Sequence, residues 1–389
     1  MKLEKEMLQK FVLFLLALFL SFGCASLGAI EDGRVEEIPF EEEEIETIPI
    51  EKEDEAEPGD RSPTIDRIDV DYLYTSELIT AIYHLYGGKL DDFAIVTLTN
   101  RNDVPVKVTV ETEIVGYTFI SKDTVEIGPS ETVEVRQNPR LNLEAVDQLN
   151  AQHPADFHIH VVYLEDGQPR EILDETAETL VYSRKEFPWA LEGFEYDEIL
   201  ALLAAMVTPH DPAVEELIRV AADYHPLGLM TAAYRAENDE GGSVWDRLEA
   251  IWKAEDEYYD LTYINTWVSF APGAVQRIRL PADVLKEKSG NCIELALLYA
   301  SAAEALDLEP AIILVPGHAY VAVRTDDINA NYYFIETTLI GYTDFNSAVD
   351  AGAENFEEAF PHIEAHEIPY GWITIANARE EGILPIPWH

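Results

Sequence analysis

Residues 292–306 read CIELALLYASAAEAL, and this stretch constrains the fold more than any other part of the chain. Apart from the thiol, its polar side chains are Glu294, Tyr299, Ser301 and Glu304. A helix that is apolar on most faces must be buried, so the rest of the chain has to supply layers around it. Ser289-Gly290-Asn291 provides the turn into this helix, which puts Cys292 in its first turn. There, unpaired backbone N–H groups and the helix dipole stabilise a thiolate, and the same N–H groups can receive an oxyanion. A cysteine so placed suits a nucleophile. The competing reading is an inert core cysteine that behaves as a small apolar residue. Glu294 points away from the thiol along the helix and is expected to pack or pair.

Downstream lies LEPAIILVPGHAYVAVR, residues 308–324. AIILV reads as a strand, Pro316-Gly317 breaks it, and His318 opens a second strand. The polar stretch TDDINAN then precedes YYFIETT, residues 332–338, so 318–324 and 332–338 should form a hairpin. If Arg324 opposes Tyr332, then Tyr320 opposes Glu336 and His318 lies one diagonal step away on the same face. A slip of two residues would oppose His318 and Glu336 directly. In either register imidazole and carboxylate are within reach, roughly 5–8 Å at Cβ. A Glu beside a His fixes its tautomer and stabilises the imidazolium.

A cysteine at a helix start, a histidine on a strand and an acid on the next strand follow the order of a papain-like thiol triad. GNCIELALLYASAAEAL, then PGHAYVAV, then YYFIETT resembles the bacterial transglutaminase-like superfamily. The upstream stretch QRIRLPADVLKEKSGNC also resembles that family's approach to its cysteine. The likeness covers about residues 245–345, with a helical lead-in from about 187. It implies Cys292 as nucleophile, His318 as base and Glu336 as orienting acid. Gln276 and Asn291 become candidates for the oxyanion or substrate site. The family usually has Asp where this chain has Glu336, the linker from Cys292 to His318 is short, and some members keep the fold and lose activity.

The chain begins with Lys2, Lys5 and Lys10, then the apolar run FVLFLLALFLSF, then Gly23-Cys24. A basic start, a short apolar core and small residues read as an export signal over 1–23. The ending SFGC resembles a bacterial lipoprotein signal, with Cys24 as the lipidated residue and Ser21 where Leu is usual. The alternatives are an uncleaved anchor and ordinary secretion. Of the chain's two cysteines, Cys292 would then have no disulfide partner, which flags it as a reactive thiol. Residues 31–60 hold 15 acids and 2 bases, a self-repelling stretch that makes 24–62 an extended acidic tether. The formal net charge of -49 repels nucleic acid and anionic membrane surfaces, so no nucleic-acid partner is expected.

Residues 63–185 alternate with the period of half-buried strands: FAIVTLTN, VKVTVETEIV, TVEIGPSETVEVR, FHIHVVYL and ETLVYSR. This spacing suggests a β-sandwich, similar to immunoglobulin-like modules of exported proteins. His158 and His160 share one strand face, read as solvated. From about 187 the pattern turns helical: YDEILALLAAMV, then TPHDPAVEELIRVAADY, with Asp211 as cap and Pro212 in the first turn, then SVWDRLEAIWKAEDEYYDLTYI over 243–264. His210 and His225 sit at helix ends and read as structural. No Gly-rich phosphate loop or metal-ligand spacing is present, and no cofactor is expected.

The expected fold class is α+β: an immunoglobulin-like β-sandwich over 63–185, then a transglutaminase-like domain over 187–389 with a buried cysteine helix packed on an antiparallel sheet. The expected function is that of an exported, lipid-anchored thiol enzyme of the cell envelope. It would be a cysteine peptidase or amidase, or a protein-glutamine acyltransferase, acting on peptide or protein amides and favouring hydrolysis. The alternative is a catalytically silent scaffold that serves as a binding module.

Overall fold

The structure, a computed structural model, describes residues 65–165, 168–228, 230, 234, 243–326 and 331–387. The expected export signal, Cys24 and the acidic tether lie outside these residues. The described residues belong to one compact unit, Pro63–His389, of mixed α+β type.

The first part is built from β1 (Ile68–Tyr74), β2 (Glu77–Ile79), β3 (Ala94–Asn100), β4 (Val106–Ile114), β5 (Ser121–Ile127) and β6 (Thr132–Gln137). The one-turn helix α1 (Leu143–Val146), β7 (His153–Glu165) and β8 (Gln168–Tyr182) follow. One sheet has the order β1-β3-β6 and a second the order β2-β8-β7-β4-β5. Alternation explains both: β3 buries Ala94, Val96, Leu98 and Asn100 and half-exposes the residues between. The buried faces of the two sheets share one apolar cluster, including Val96, Leu98, Val108, Val110, Phe157, Ile159 and Val161. The Gly-Pro-Ser turn carries the chain from β5 in one sheet to β6 in the other, with Ser130 at φ 59.

The second part opens with β9 (Glu186–Pro188), which pairs with β11 (Val275–Arg277). Between them come α2 (Tyr196–Leu202), α3 (Pro212–Ala221), α4 (Val244–Lys253) and the short β10 (Thr262–Tyr263). Asp211 caps α3 by accepting from Ala213 N at 2.8 Å, with Pro212 opening the helix. The helix expected over 243–264 is shorter. It ends at Lys253, passes through a π turn over Ala254–Tyr258 and gives way to β10. Glu255, Asp256 and Glu257 oppose the dipole at that end, and Asp260 takes a left-handed φ of 54.

Then follow α5 (Pro281–Glu287), β12 (Ser289–Gly290), α6 (Cys292–Glu304), β13 (Pro310–Val315), β14 (His318–Arg324), β15 (Tyr332–Ile335), α7 (Phe345–Glu364), β16 (Gly371–Thr374) and α8 (Ile375–Glu380). The strands form an antiparallel sheet of order β15-β14-β13-β16. Alternation divides its faces. Ile312, Leu314, Ala319, Val321 and Val323 join the large cluster around α6, whereas Ala311, Ile313, Tyr320 and Ala322 pack with Phe356 of α7. The apolar run thus finds its layers: every residue from Cys292 to Ala303 is buried. The same cluster also takes Ile79, Ala81, Ile82, Leu85 and Leu90 from the first part of the chain.

Among the described residues no helix is long and apolar enough to cross a membrane.

Candidate active site

Cys292 is the first residue of α6 and is 1% exposed. Its position is fixed from the N-terminal side by a reciprocal cap. Asn291 Oδ1 accepts from Glu294 N at 3.1 Å, and Glu294 Oε2 accepts from Asn291 N at 3.0 Å. Glu294 is held in turn by Arg279, whose backbone N–H and Nε donate to Oε1 at 2.9 and 3.0 Å and whose Nη2 donates to Oε2 at 2.6 Å. The expectation that Glu294 packs or pairs agrees with this geometry. Gly290 is needed for close approach, because a Cβ there would sit 2.9 Å from Leu295 Cγ. The cap engages the Glu294 N–H, and Leu295 N bonds Asn291 O. The N–H groups of Cys292 and Ile293 precede the first intrahelical bond and remain available at the helix start.

His318 begins β14 directly after the Pro316-Gly317 turn, opposite Val315. Its Nε2 lies 2.7 Å from Glu336 Oε2. With Nε2 taken, Nδ1 is the ring nitrogen left open, and Cys292 lies near enough to act on the ring and raise its pKa. Glu336 follows the end of β15 and caps a short turn of helix. It is 4% exposed. Its carboxylate is saturated: Oε1 accepts from Thr338 N at 3.2 Å and Thr338 Oγ1 at 2.6 Å, and Oε2 also accepts from Asn355 Nδ2 at 2.9 Å. Asn355 comes from α7, which approaches β15 closely at Gly352, where a Cβ would meet the Phe334 carbonyl oxygen at 2.5 Å. Glu336 N donates to Ala348 O of the same helix at 3.0 Å.

The electrostatics follow from this packing. Burial acts to lower the pKa of His318. Hydrogen bonds to Cys292 and Glu336, with their negative charges, outweigh it and raise the ring to about 10. Burial acts to raise Glu336, but the hydrogen bond and charge of His318, with the two bonds from Thr338, hold it below the usual carboxylate range. An imidazolium is therefore favoured between a thiol and a carboxylate. That is the arrangement a thiolate nucleophile with a proton donor beside it requires.

A connecting segment runs past both groups. Thr262 and Tyr263 of β10 pair in parallel with Ser289 and Gly290. Ile264 N donates to Gly290 O at 2.8 Å, and Asn291 Nδ2 donates to Thr266 Oγ1 at 3.3 Å. The Val268 carbonyl oxygen lies 3.6 Å from where a Cβ on Gly317 would sit, next to His318. The half-buried phenol of Tyr263 is pushed up by burial and then by the charges of Cys292 and Glu336.

The sequence candidates thus fall into two sets. Cys292, His318 and Glu336 come together. Asn291 acts as the helix cap, with its amide donating to Thr266. Gln276 is buried with its amide in use: Oε1 accepts from Ser269 N at 3.1 Å, and Nε2 donates to Arg277 O at 2.9 Å. Sequence reasoning missed Tyr263, Asn355 and Thr338. His158 and His160 face carboxylates, at 2.7 Å to Asp174 and 3.5 Å to Glu111. Among the described residues no group of three or more His, Cys, Asp or Glu side chains is arranged to hold a metal ion.

No family model matches the chain, and no curated protein matches it in sequence. Among solved structures it is similar to the FixG-related protein from Vibrio parahaemolyticus. That match has 10% identity and a TM-score of 0.20, and it covers 30% of this chain and 97% of that one.

Proposed function

We propose that this chain is a thiol acyl-transfer enzyme of the transglutaminase-like class, acting on peptide or protein amide bonds and favouring hydrolysis. The observation that carries the reading is the His318–Glu336 bond at 2.7 Å, with Cys292 at the start of a buried helix and acting on the same ring. The thiolate attacks the amide carbon, and the C–S bond forms as the carbonyl π pair moves to oxygen. The intermediate then collapses, the C–N bond breaks, and His318 gives its proton to the departing amine. Water attacks the thioester and gives hydrolysis, and an amine in its place gives transamidation. Glu336 keeps the ring oriented and its positive charge compensated throughout.

In the same reading residues 1–23 direct export, Cys24 carries a lipid anchor and 24–62 form the tether to a membrane of the cell envelope. The two sheets of 63–185 are an immunoglobulin-like module. Intact mass of membrane-extracted protein checks the anchor, and an unmodified Cys24 on a mature chain would remove that part.

A screen with peptide, glutamine and cell-wall amide substrates tests the activity, with Cys292→Ala as the control. The variant is expected to be folded and inactive. One observation favours a second reading, a silent scaffold: Cys292 is only 1% exposed. A folded parent that turns over none of these substrates and leaves Cys292 unlabelled by thiol reagents would establish that reading in place of the first, and a Cys292→Ala chain as active as the parent would remove the thiol mechanism.

A further inference from the structure

An attacking thiolate leaves a negative charge on the former carbonyl oxygen, and something must receive it. The helix start supplies backbone N–H groups, but the side chains that the sequence nominated as donors are committed elsewhere. The Gln276 amide bridges Ser269 and Arg277, and Asn291 is spent on its helix cap and on Thr266. Tyr263 differs from both. It stands beside Gly290, two residues before Cys292, in the parallel pairing of β10 with β12. It packs against the cluster that contains Cys292. It is half-buried, and its hydroxyl makes no hydrogen bond to any described residue. Burial and then the charges of Cys292 and Glu336 push its pKa up, and Ile264 N, the next residue, donates to Gly290 O at 2.8 Å.

We propose that the Tyr263 hydroxyl is the side-chain donor that receives the oxyanion when Cys292 attacks an acyl group. The assignment rests on the acyl-transfer reading above. In the step, the thiolate forms the C–S bond, the π pair moves to oxygen, and the phenol donates a hydrogen bond to that oxygen without giving up its proton. Collapse returns the pair to the carbonyl and expels the leaving group. The phenol acts only while the oxygen carries charge, so its effect falls on the transition state and not on the reactivity of the thiol.

That distinction supplies the experiment. p-Nitrophenyl acetate acylates a thiolate through an oxyanion and releases p-nitrophenolate. Iodoacetamide alkylates the same thiolate by displacing iodide, with no oxyanion. The rate constants of both reagents with Cys292 are measured in the parent and in Tyr263→Phe, with melting followed to confirm folding. Loss of one oxyanion donor should lower acylation by roughly 10- to 1000-fold and leave alkylation within about threefold of the parent. Acylation within threefold of the parent overturns the proposal. So does an equal fall with both reagents, because Tyr263 would then act on the thiol itself. A rise with both overturns it too, since the ring would then be a cover over Cys292. If neither reagent touches Cys292 in the folded parent, the acyl-transfer reading fails, and the proposal fails with it.

Discussion

His318 and Glu336 meet at 2.7 Å although the ladder does not oppose them. Arg324 pairs with Tyr332 and Val321 with Ile335, so the register carries Tyr320, not His318, to the level of Glu336. The contact is the diagonal one, made where β15 has ended and the chain turns into a short helix. A diagonal contact at a strand end leans on its surroundings. Here Thr338 and Asn355 hold the carboxylate from two sides.

Glu336→Gln should therefore lower turnover by roughly 10- to 1000-fold on whichever amide substrate the screen identifies, with the chain still folded. The amide keeps a hydrogen bond to the ring but loses the charge. Asn355→Ala should give a smaller loss, because Thr338 still holds the other oxygen. Steady-state kinetics on the two variants checks the order. A larger effect from Asn355→Ala would place the orienting role on α7 and not on Glu336.

The pH dependence has a sign that can be worked out. His318 is raised from 6.5 to about 10, so its protonated form contributes stability fully below pH 6.5, and that contribution fades as pH climbs towards 10. Glu336 is lowered from 4.5, so its contribution is present above pH 4.5 and is lost as pH falls through its folded value. Activity should follow a bell whose alkaline limb lies near 10, well above that of a free imidazole, and whose limbs report the coupled pair. Removing Cys292 removes a group that acts to raise the ring. The His318 titration, followed by NMR, should then move down in Cys292→Ala. An unmoved titration would mean that the thiol does not face the ring.

The Arg279–Glu294 pair is a stability device. Both side chains are largely buried, at 14% and 4% exposure, and two hydrogen bonds join them, with a third from the Arg279 backbone N–H. Arg279→Ala would leave a buried carboxylate without its partner at the helix that starts with Cys292. The expected loss is about 3–5 kcal/mol, measured by denaturant unfolding. Arg279→Lys should recover only part of it, because a point charge cannot replace the fork. A loss under about 1 kcal/mol for Arg279→Ala would show that water replaces the guanidinium.

These relationships were unequally legible. The hairpin and its face were readable because a polar turn joins two alternating strands, and parity restricts which residues can meet. The burial of α6 was readable because so apolar a run has no other stable place. Asn291 and Glu294 are spaced as a capping box, a signal that could have been read. Asn355, Thr338, Tyr263 and Arg279 leave no such trace: each reaches the site through tertiary packing. The end of α4 was missed because the aromatics after Lys253 continue the helical pattern, while the left-handed turn at Asp260 shows only in the backbone.

The switch of periodicity near Arg184-Lys185 raises the question of whether 187–389 stands alone. The packing argues that it depends on what precedes it. Ile79, Ala81, Ile82, Leu85 and Leu90 are buried in the cluster that surrounds α6, all at 5% exposure or less. Further ties are β9, which begins at Glu186, and the bonds from His84 to Leu384 O at 2.9 Å and from Lys89 to Glu381 at 3.0 Å. Each fully buried Ile or Leu is worth about 1.5–3 kcal/mol, so a chain cut at 187 loses several kcal/mol and exposes the surface they covered. For a piece of this size that corresponds to a drop on the order of 10 °C or more in melting temperature against 63–389. The exposed ties add little, since surface pairs contribute about 0–1 kcal/mol each. Scanning calorimetry on 63–389 and 187–389 decides it. Cooperative melting of the shorter chain within about 3 °C of the longer one would show that the five residues add no stability to the cluster they enter.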